Sequence, residues 1–553
     1  MKNCQQYSLS MDKKDIEMKS STIEISNDLS NEIDLELSVQ LALNETGFGK
    51  FNLKVMVLCC LIYLNTALSI CSIGFILPSA ACDFHMSTID KGNINIISLI
   101  GMAAGCWFWG CYAGIKGRIR TLKMSLFLQG IFEFLSGIIP NYGLFLLFKF
   151  LSGFSLSGQS GTLFVYLGEC QPTKYKEKLL SWLEMAWTLG LIAAPVIGWL
   201  IIPLQFEIDA KPFTFHSWNL FVIICSLPSF TIGFWSLYFN ESPKFLAENM
   251  QLSELSVVLR KIYTENTGNP IEMYFEILDK NKNPFYDNLK INNNHNNSND
   301  NTKVKSWRTI IYTTYIQTIS LFKFPYLFKS LNVFILISCI TASYYTLMLW
   351  FPELFQRFAK YEQMYPEKSS SVCEISKINL IDNNNTMVVE YDIYDCQNNI
   401  HDNVFFHTLL LGLGCLPLSI ILPLTVTYTG YKIYIIICTF LSTLVTIGFF
   451  FITSSTQNLI LSSIFEALTS VCMSITLCIV VDIFPTNLRM MAASLAAFCA
   501  RVGAFSGNWI FGYLIDNYCL SLIIIVASQL FFCTILSFLT PGRFGMIKPT
   551  KII

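Results

Sequence analysis

The sequence is short of charge. Of its 553 residues, 14% are Asp, Glu, Lys or Arg, while 53% are hydrophobic. A soluble domain carries about 25% charged residues. So few charges cannot cover a chain of this length with a water-facing surface, so a wholly soluble protein is excluded and much of the surface must meet lipid. The mean hydropathy of +0.49 agrees. Histidine is scarce too: there are five, and His295, His401 and His407 lie in or beside polar loops. No metal-ligand cluster can be assembled from them, and no Gly-rich phosphate loop with its Lys is present. The expectation is a protein that is not an enzyme, with no catalytic residue, metal or cofactor, and not an ATP-driven pump. A net charge of −1 leaves no field to attract nucleic acid.

Two further absences bear on compartment. Although there are 19 cysteines, most sit inside apolar runs (Cys59, Cys60, Cys71, Cys106, Cys225, Cys438), where a thiol is a small apolar filler and not part of a disulfide framework. No apolar run precedes about Val55, so no cleavable signal peptide is expected and the polar first 50 residues are expected to stay in the cytosol.

What the sequence has in abundance is long apolar runs. A membrane-crossing helix needs about 20 mostly apolar residues. Such runs cover about 54–77, 93–113, 122–140, 144–168, 182–203 and 218–239, then about 331–352, 404–425, 431–453, 457–482, 490–515 and 518–540. There are no alternating ten-residue segments to suggest a barrel. The predicted fold class is therefore an all-α membrane protein with twelve transmembrane helices in two six-helix bundles. The predicted parts are a cytosolic tail (1–51), a first bundle (52–240), a cytosolic central loop (241–330), a second bundle (331–541) with a luminal or extracellular loop at 353–403, and a cytosolic tail (542–553). Within the central loop, "SELSVVLRKIY" reads as an amphipathic helix and "NNNHNNSNDN" (292–301) as a low-complexity run with no apolar area to bury.

Orientation follows from the short loops. Gly110–Lys123, "GCYAGIKGRIRTLK", holds Lys116, Arg118, Arg120 and Lys123 and no acid. The 4–5 loop holds Lys174, Lys176 and Lys178, and the 10–11 loop Arg489, whereas "PNYG" and "TSSTQN" on the opposite side hold no cation. Short cytosolic loops collect Lys and Arg, so both termini are expected in the cytosol. The loop 353–403 then faces an oxidising compartment. It contains the glycosylation sequon at Asn384 between Cys373 and Cys396, which can either close a disulfide or remain two thiols. Sequons at Asn44, Asn240 and Asn296 lie on the wrong side to be glycosylated.

A set of strings in this order resembles a known family. "GFGKF" (47–51) and "GFILPSA" (74–80) bracket the first span, and "FLSGFSLSG" (150–158) lies in the fourth. "FHSWNLFVIICSLPS" (215–229), "NESPKFLAEN" (240–249), "LMLWFPELF" (347–355) and "VDIFPTNLR" (481–489) follow. Together they resemble the major facilitator superfamily, and within it the synaptic vesicle glycoprotein 2 family, especially insect-type members. The resemblance runs from about Gly47 to Pro541. It implies a transporter whose two bundles rock about a central cavity, a small organic solute as partner, the lipid bilayer as surroundings, and residence in the plasma membrane or a secretory or synaptic-type vesicle. It also leaves open a transport-inactive vesicle protein acting in trafficking or exocytosis through its cytosolic tail and loop.

The resemblance singles out positions. In the superfamily the 2–3 loop carries an Asp that latches the bundles. Here the turn glycine Gly117 and Arg118 match, but the acid position is Gly114, so the latch is weakened or rebuilt. Glu169, Asp482 and Arg489 are further latch candidates. Gly190, Pro195 and Gly198 resemble a reduced hinge motif, since Pro kinks a helix and small residues admit a neighbour. Thr66 and Ser69 stand where neuronal relatives carry acids, and can bond a solute or bond back to their own helix. Four span charges complete the candidates: Glu133, Lys149, Glu466 and Arg501. A charge in the bilayer core costs at least about 2.5 kcal/mol on insertion scales. Lys149 can therefore meet Glu133 or snorkel outward, and Glu466 and Arg501 are expected to face the cavity.

Overall fold

The computed structural model describes residues 38–80, 83–84, 86, 88–204, 207–210, 213–280, 315–364, 373, 402–452, 454–484, 486–515 and 518–540. The chain divides into two compact units: residues 1–54, 169–174 and 240–304 in one, and 55–168, 175–239 and 305–553 in the other.

Each of the twelve predicted spans falls on a helix of the larger unit. With a short first helix α1 (38–45), the first six spans are α2 (Lys50–Ser79), α3 (Thr88–Lys116), α4 (Arg118–Ser136), α5 (Tyr142–Glu169), α7 (Leu183–Ile201) and α8 (Ser217–Ser236). A nine-residue helix α6 (Thr173–Ser181) precedes α7. The second six follow a helix α12 (315–321). They are α13 (Leu327–Met364), α14 (Asp402–Thr429), α15 (Tyr431–Gly448), α16 (Ser455–Ile483), α17 (Thr486–Leu514) and α18 (Cys519–Leu539). Among the described residues nine helices are long and apolar enough to cross a membrane. The three spans outside that nine, α4, α5 and α17, carry the buried polar residues Gln129, Glu133, Lys149, Gln159 and Arg501. Their lower hydropathy marks side chains that face protein and not lipid.

The two halves repeat one packing scheme. In the first, α4 lies on α8, and in the second, α15 lies on α18. The α3–α4 turn is made at Gly117 (φ +104°) and the α14–α15 turn at Gly430 (φ +77°). Both backbones sit where an L side chain is strained, so glycine is required at the same point of each half. The halves meet where α3 lies on α17 and α7 on α14.

Three features differ from expectation. A small antiparallel ribbon, β1 (Glu207–Ala210) with β2 (Phe213–His216), pairs Glu207 with His216 and stands between α7 and α8. Helix α13 does not stop near residue 352 but continues to Met364. Its 38 residues span about 57 Å at 1.5 Å per residue, well beyond a hydrocarbon core of about 30 Å. The continuation "ELFQRFAKYEQM" contains no Gly or Pro to stop it. Finally, Cys373 pairs with Cys519 at the head of α18 and not with Cys396. Their Cα atoms are 5.5 Å apart, inside the span a disulfide needs. Cys396 and Asn384 lie outside the described residues.

The smaller unit gives the central loop a structure of its own. Helices α9 (Pro243–Glu248), α10 (Leu252–Thr267) and α11 (Ile271–Lys280) pack with α1 and the head of α2. The amphipathic stretch is α10, burying Leu255, Val258, Leu259 and Ile262. Asn266 organises the unit: its Oδ1 accepts from the Phe51 amide (3.1 Å), and its Nδ2 reaches the carbonyls of Thr46 and Gly47 and the Asn52 side chain. Tyr274 donates to the Ala42 carbonyl at 3.0 Å, and its burial raises its phenol pKa above the ordinary value.

Candidate solute site

The first half builds its own polar interior. Asn65 on α2 donates to Gln129 Oε1 on α4 (3.0 Å), and so do Gln159 on α5 (3.0 Å) and Ser229 on α8 (2.8 Å). Gln129 Nε2 in turn donates to Ser69 Oγ at 3.1 Å. Four helices are thereby tied to one amide, and all five residues are buried. Of the two span-one candidates, Ser69 belongs to this network, whereas Thr66 bonds back to the Ile62 carbonyl (2.9 Å).

Lys149 is held by Glu133, not snorkelled. Its Nζ pairs with Glu133 Oε1, Ser152 donates to Glu133 Oε2 at 2.6 Å, and the Phe145 ring lies 5.6 Å from the ammonium. The Lys149 and Glu133 side chains are 1% and 3% exposed. Both oxygens of the acid are used and the cation is neutralised, as a buried pair requires.

A different arrangement lies between the halves. Tyr63 on α2 packs against Trp187 on α7 (ring centroids 4.9 Å apart), Trp187 against Tyr344 on α13 (6.4 Å), and Tyr344 against Tyr345 (5.1 Å). Trp187 Nε1 donates to Tyr344 Oη at 2.7 Å, a hydrogen bond from one half to the other. Glu184 lies one helical turn before Trp187 and faces Ser470 and Ser474 of α16. Glu466, also on α16, faces Tyr344 and lies within electrostatic reach of Glu184. Both acids are 0% exposed, and none of their four carboxyl oxygens reaches hydrogen-bond geometry with a neighbour. The Ser474 hydroxyl is also without a partner. Arg501 on α17 does not pair with Glu466 among the described residues. It donates to Tyr345 Oη (2.8 Å) and stacks 5.3 Å from that ring, leaving its Nε unbonded.

Contacts between the halves occur on both sides of this cluster. Toward the end of α2, Phe75 stacks on Phe405 of α14 (5.6 Å), and Gly74 lies so close to Pro352 that a Cβ would sit 3.1 Å from its ring. At the basic-loop end, Tyr431 of α15 donates to the Glu177 carbonyl of α6 (3.3 Å), and a Cβ on Gly110 would meet Ser494. The hinge candidates lie at close contacts. Gly190 lies against Ala67 and the Leu64 carbonyl of α2, Gly198 lies against Phe405, and Pro195 is inside α7. Among the latch candidates, Arg118 is buried directly after the Gly117 turn. Glu169 accepts from Ser242 (2.5 Å), whose hydroxyl also caps α9. Asp482 and Arg489 are on α16 and α17, with side chains outside the described set. Around Gly114 nothing lies within 4 Å of a built Cβ.

Sequence reasoning missed Glu184, Trp187 and the Tyr344–Tyr345 pair. The acid was visible, as a lone carboxylate in "SWLEMAW" within a predicted span. The aromatic residues carried no signal, because rings in apolar runs are ordinary.

Comparison with known proteins agrees with this geometry. The family described as "Sugar (and other) transporter" matches residues 63–338. Synaptic vesicle glycoprotein 2C of Rattus norvegicus is 29% identical over 331 residues, 59% of this chain and 45% of that protein. Synaptic vesicle glycoprotein 2A of Homo sapiens is 33% identical over 237 residues, 42% of this chain and 32% of that one. The chain spans less than half the length of the curated relatives it matches. Among solved structures, the xylose transporter XylE from E. coli, in a partially occluded inward open conformation, aligns with a TM-score of 0.60 at 15% identity. That alignment covers 90% of this chain and 99% of XylE. XylE described as a major facilitator superfamily proton:xylose symporter, bound to 6-bromo-6-deoxy-D-glucose, also aligns at 0.60. At such identities the structures speak for the fold. The chain is a multi-pass membrane protein with the fold of the major facilitator transporters, similar over about half its length to the family of sugar and other transporters and to the synaptic vesicle glycoprotein 2 proteins.

Proposed function

We propose that the chain is a secondary transporter that carries a small organic solute by alternating access. The observation that supports this most is the buried, incompletely hydrogen-bonded cluster between the halves, with Trp187 of one bonded to Tyr344 of the other. Polar groups are expensive to hold in a membrane interior without partners. A site built from both halves has its partners supplied by a solute and opens to one side or the other as the halves rock. The similarity to a family of sugar and other transporters supports a small organic solute as cargo. Glu466 and Arg501 would contact it. Glu133 and Lys149 would shape the first bundle, and Gly117, Arg118, Glu169, Asp482 and Arg489 would set the cytosolic end. Both tails face the cytosol in this reading, and the relatives' name supports a vesicle as residence, with the plasma membrane as the alternative.

The test is uptake into proteoliposomes from a mixed panel of organic cations, anions, sugars and nucleosides. Wild type is expected to accumulate at least one class, and Trp187→Ala to lose it at unchanged protein yield. A second reading, a transport-inactive protein acting in trafficking through the cytosolic tail and loop, is favoured by Gly114 standing where the latch acid belongs. No uptake of any class, with normal folding and vesicle delivery, would move weight to it.

A further inference from the structure

We propose that the solute carries a positive centre, and that Glu184 and Glu466 hold it between the two halves inside the ring set of Tyr63, Trp187, Tyr344 and Tyr345. This rests on the transporter reading and deepens it.

The two acids lack the partners that a retained buried carboxylate has elsewhere in the chain. Glu133 shows how this chain treats a buried carboxylate it intends to keep: a lysine on one oxygen and a serine on the other. Glu184 and Glu466 are as deeply buried, yet no cation pairs with them among the described residues, and their hydroxyl neighbours Ser470, Ser474 and Tyr344 fall short of good hydrogen-bond geometry. Two carboxylates within reach of each other in a low dielectric cannot both stay ionised without a counter-charge. The fixed cation nearby pairs with neither acid among the described residues: Arg501 points at Tyr345, donating to its hydroxyl and stacking on its ring. A mobile cation can supply the counter-charge.

The surroundings suit an organic cation more than a bare metal ion. Aromatic faces attract ammonium groups, and rings gathered with acids are a recurrent way to bind them. Here four rings pack one on the next beside the acids, contributed by α2, α7 and α13. A hard metal ion wants six or more oxygens, many of them carbonyl or water. Among the described residues no group of three His, Cys, Asp or Glu is placed to hold a metal. The Ser474 hydroxyl, buried and unbonded beside Glu184, offers one acceptor for an N–H or hydroxyl of the solute. Placing one acid on each half has a mechanical consequence. Glu184 is on α7 and Glu466 on α16, so a cation between them attracts both bundles and favours the closed state that rocking must pass through.

The experiment uses the full chain, purified in nanodiscs. Its ligands are choline, tetraethylammonium, the neutral choline isostere 3,3-dimethyl-1-butanol, and xylose. Thermal stabilisation and binding are read for wild type, Glu184→Gln, Glu466→Gln, Glu466→Asp and Ser470→Ala. Expected are saturable binding of a cation, at least tenfold weaker binding of the neutral isostere, and a loss of tenfold or more in each Gln variant. Glu466→Asp keeps the charge and should retain part of the affinity, which guards against a Gln variant that merely folds poorly. The assignment is overturned if the isostere binds as well as choline, if both Gln variants bind as wild type, or if no cation shifts the wild-type melting temperature. Accumulation of xylose in proteoliposomes with the cations silent would overturn the cation while leaving the transporter intact.

Discussion

Buried acids are treated differently in the interior of the first half and at the interface between the halves, although the first half also leaves Gln159 Oε1 and the Asn95 side chain unbonded. In the first half, Gln129 has three donors on its carbonyl and an acceptor for its amide, and Glu133 has Lys149 and Ser152. Between the halves, Glu184 and Glu466 have only hydroxyl neighbours, none in good hydrogen-bond geometry, and no cation among the described residues. The two environments are equally buried, so burial does not explain the difference. A satisfied polar group fixes helices in place, and removing its partner exposes the full desolvation penalty. An unsatisfied one is a standing cost, tolerated where something that comes and goes relieves it. In the proposed reading, Lys149 and Glu133 belong to the scaffold, and Glu184 and Glu466 to the solute site. Span charges that look alike in the sequence are thereby sorted into two roles.

The largest effect is expected at the ion pair. Glu133→Ala leaves an unpaired ammonium in a buried site and should cost about 3–5 kcal/mol. Glu133→Gln combined with Lys149→Met, which removes both charges, should recover most of that. Thermal unfolding in detergent measures both. A single substitution costing less than about 1 kcal/mol, the range of an exposed pair, would show that Lys149 reaches water. Next in size is Gly190. A Cβ there would sit 2.5 Å from that of Ala67 and 2.6 Å from the Leu64 carbonyl, backbone that cannot rotate away. Gly190→Ala should cost about 1–3 kcal/mol as overpacking. A neutral result would mean that α2 and α7 can separate freely. The acids between the halves should behave oppositely. Glu184→Gln breaks no bond and removes an uncompensated acid, so its melting temperature should equal or exceed wild type while uptake falls to background. Loss of stability equal to that of Glu133→Ala would erase the distinction between the two regions.

Much of the architecture was legible because lipid imposes a strong rule. Every span has to be about 20 apolar residues long, and hydropathy finds those regardless of how they pack. The pairing of Lys149 with Glu133 was legible for a related reason: a buried charge demands an opposite one, and few are available. What was not legible depends on three dimensions. Cys373 had Cys396 close in sequence, but its partner is Cys519, 146 residues away, which the fold brings near. Arg501 and Glu466 sit on neighbouring spans, yet each turned to a different tyrosine of α13, and nothing in the spacing of Tyr344 and Tyr345 signals that. In the central loop the amphipathic helix was legible, but its docking was not, because the Asn266 bonds that tie it to residues 46–52 join segments more than 200 positions apart.

The smallest effect on stability is expected at Gly114, where it is also most informative about the missing latch. The position is helical, its φ is not in the left-handed region, and a built Cβ meets nothing within 4 Å. Gly114→Asp should therefore change stability by no more than about 0.5 kcal/mol, the range of a surface substitution. A change of several kcal/mol would mean that the open space is filled in another conformation. If the acid is absent because this chain holds its cytosolic end loosely, restoring it next to Lys116 and Arg118 should favour one orientation of the halves over the other. Uptake would then slow several-fold with affinity changed little, since the substitution acts on the rocking step and not on the site between Glu184 and Glu466. Uptake and affinity falling together would place Gly114 in contact with the solute path, and an unchanged rate would assign the four cations of the loop to topology alone.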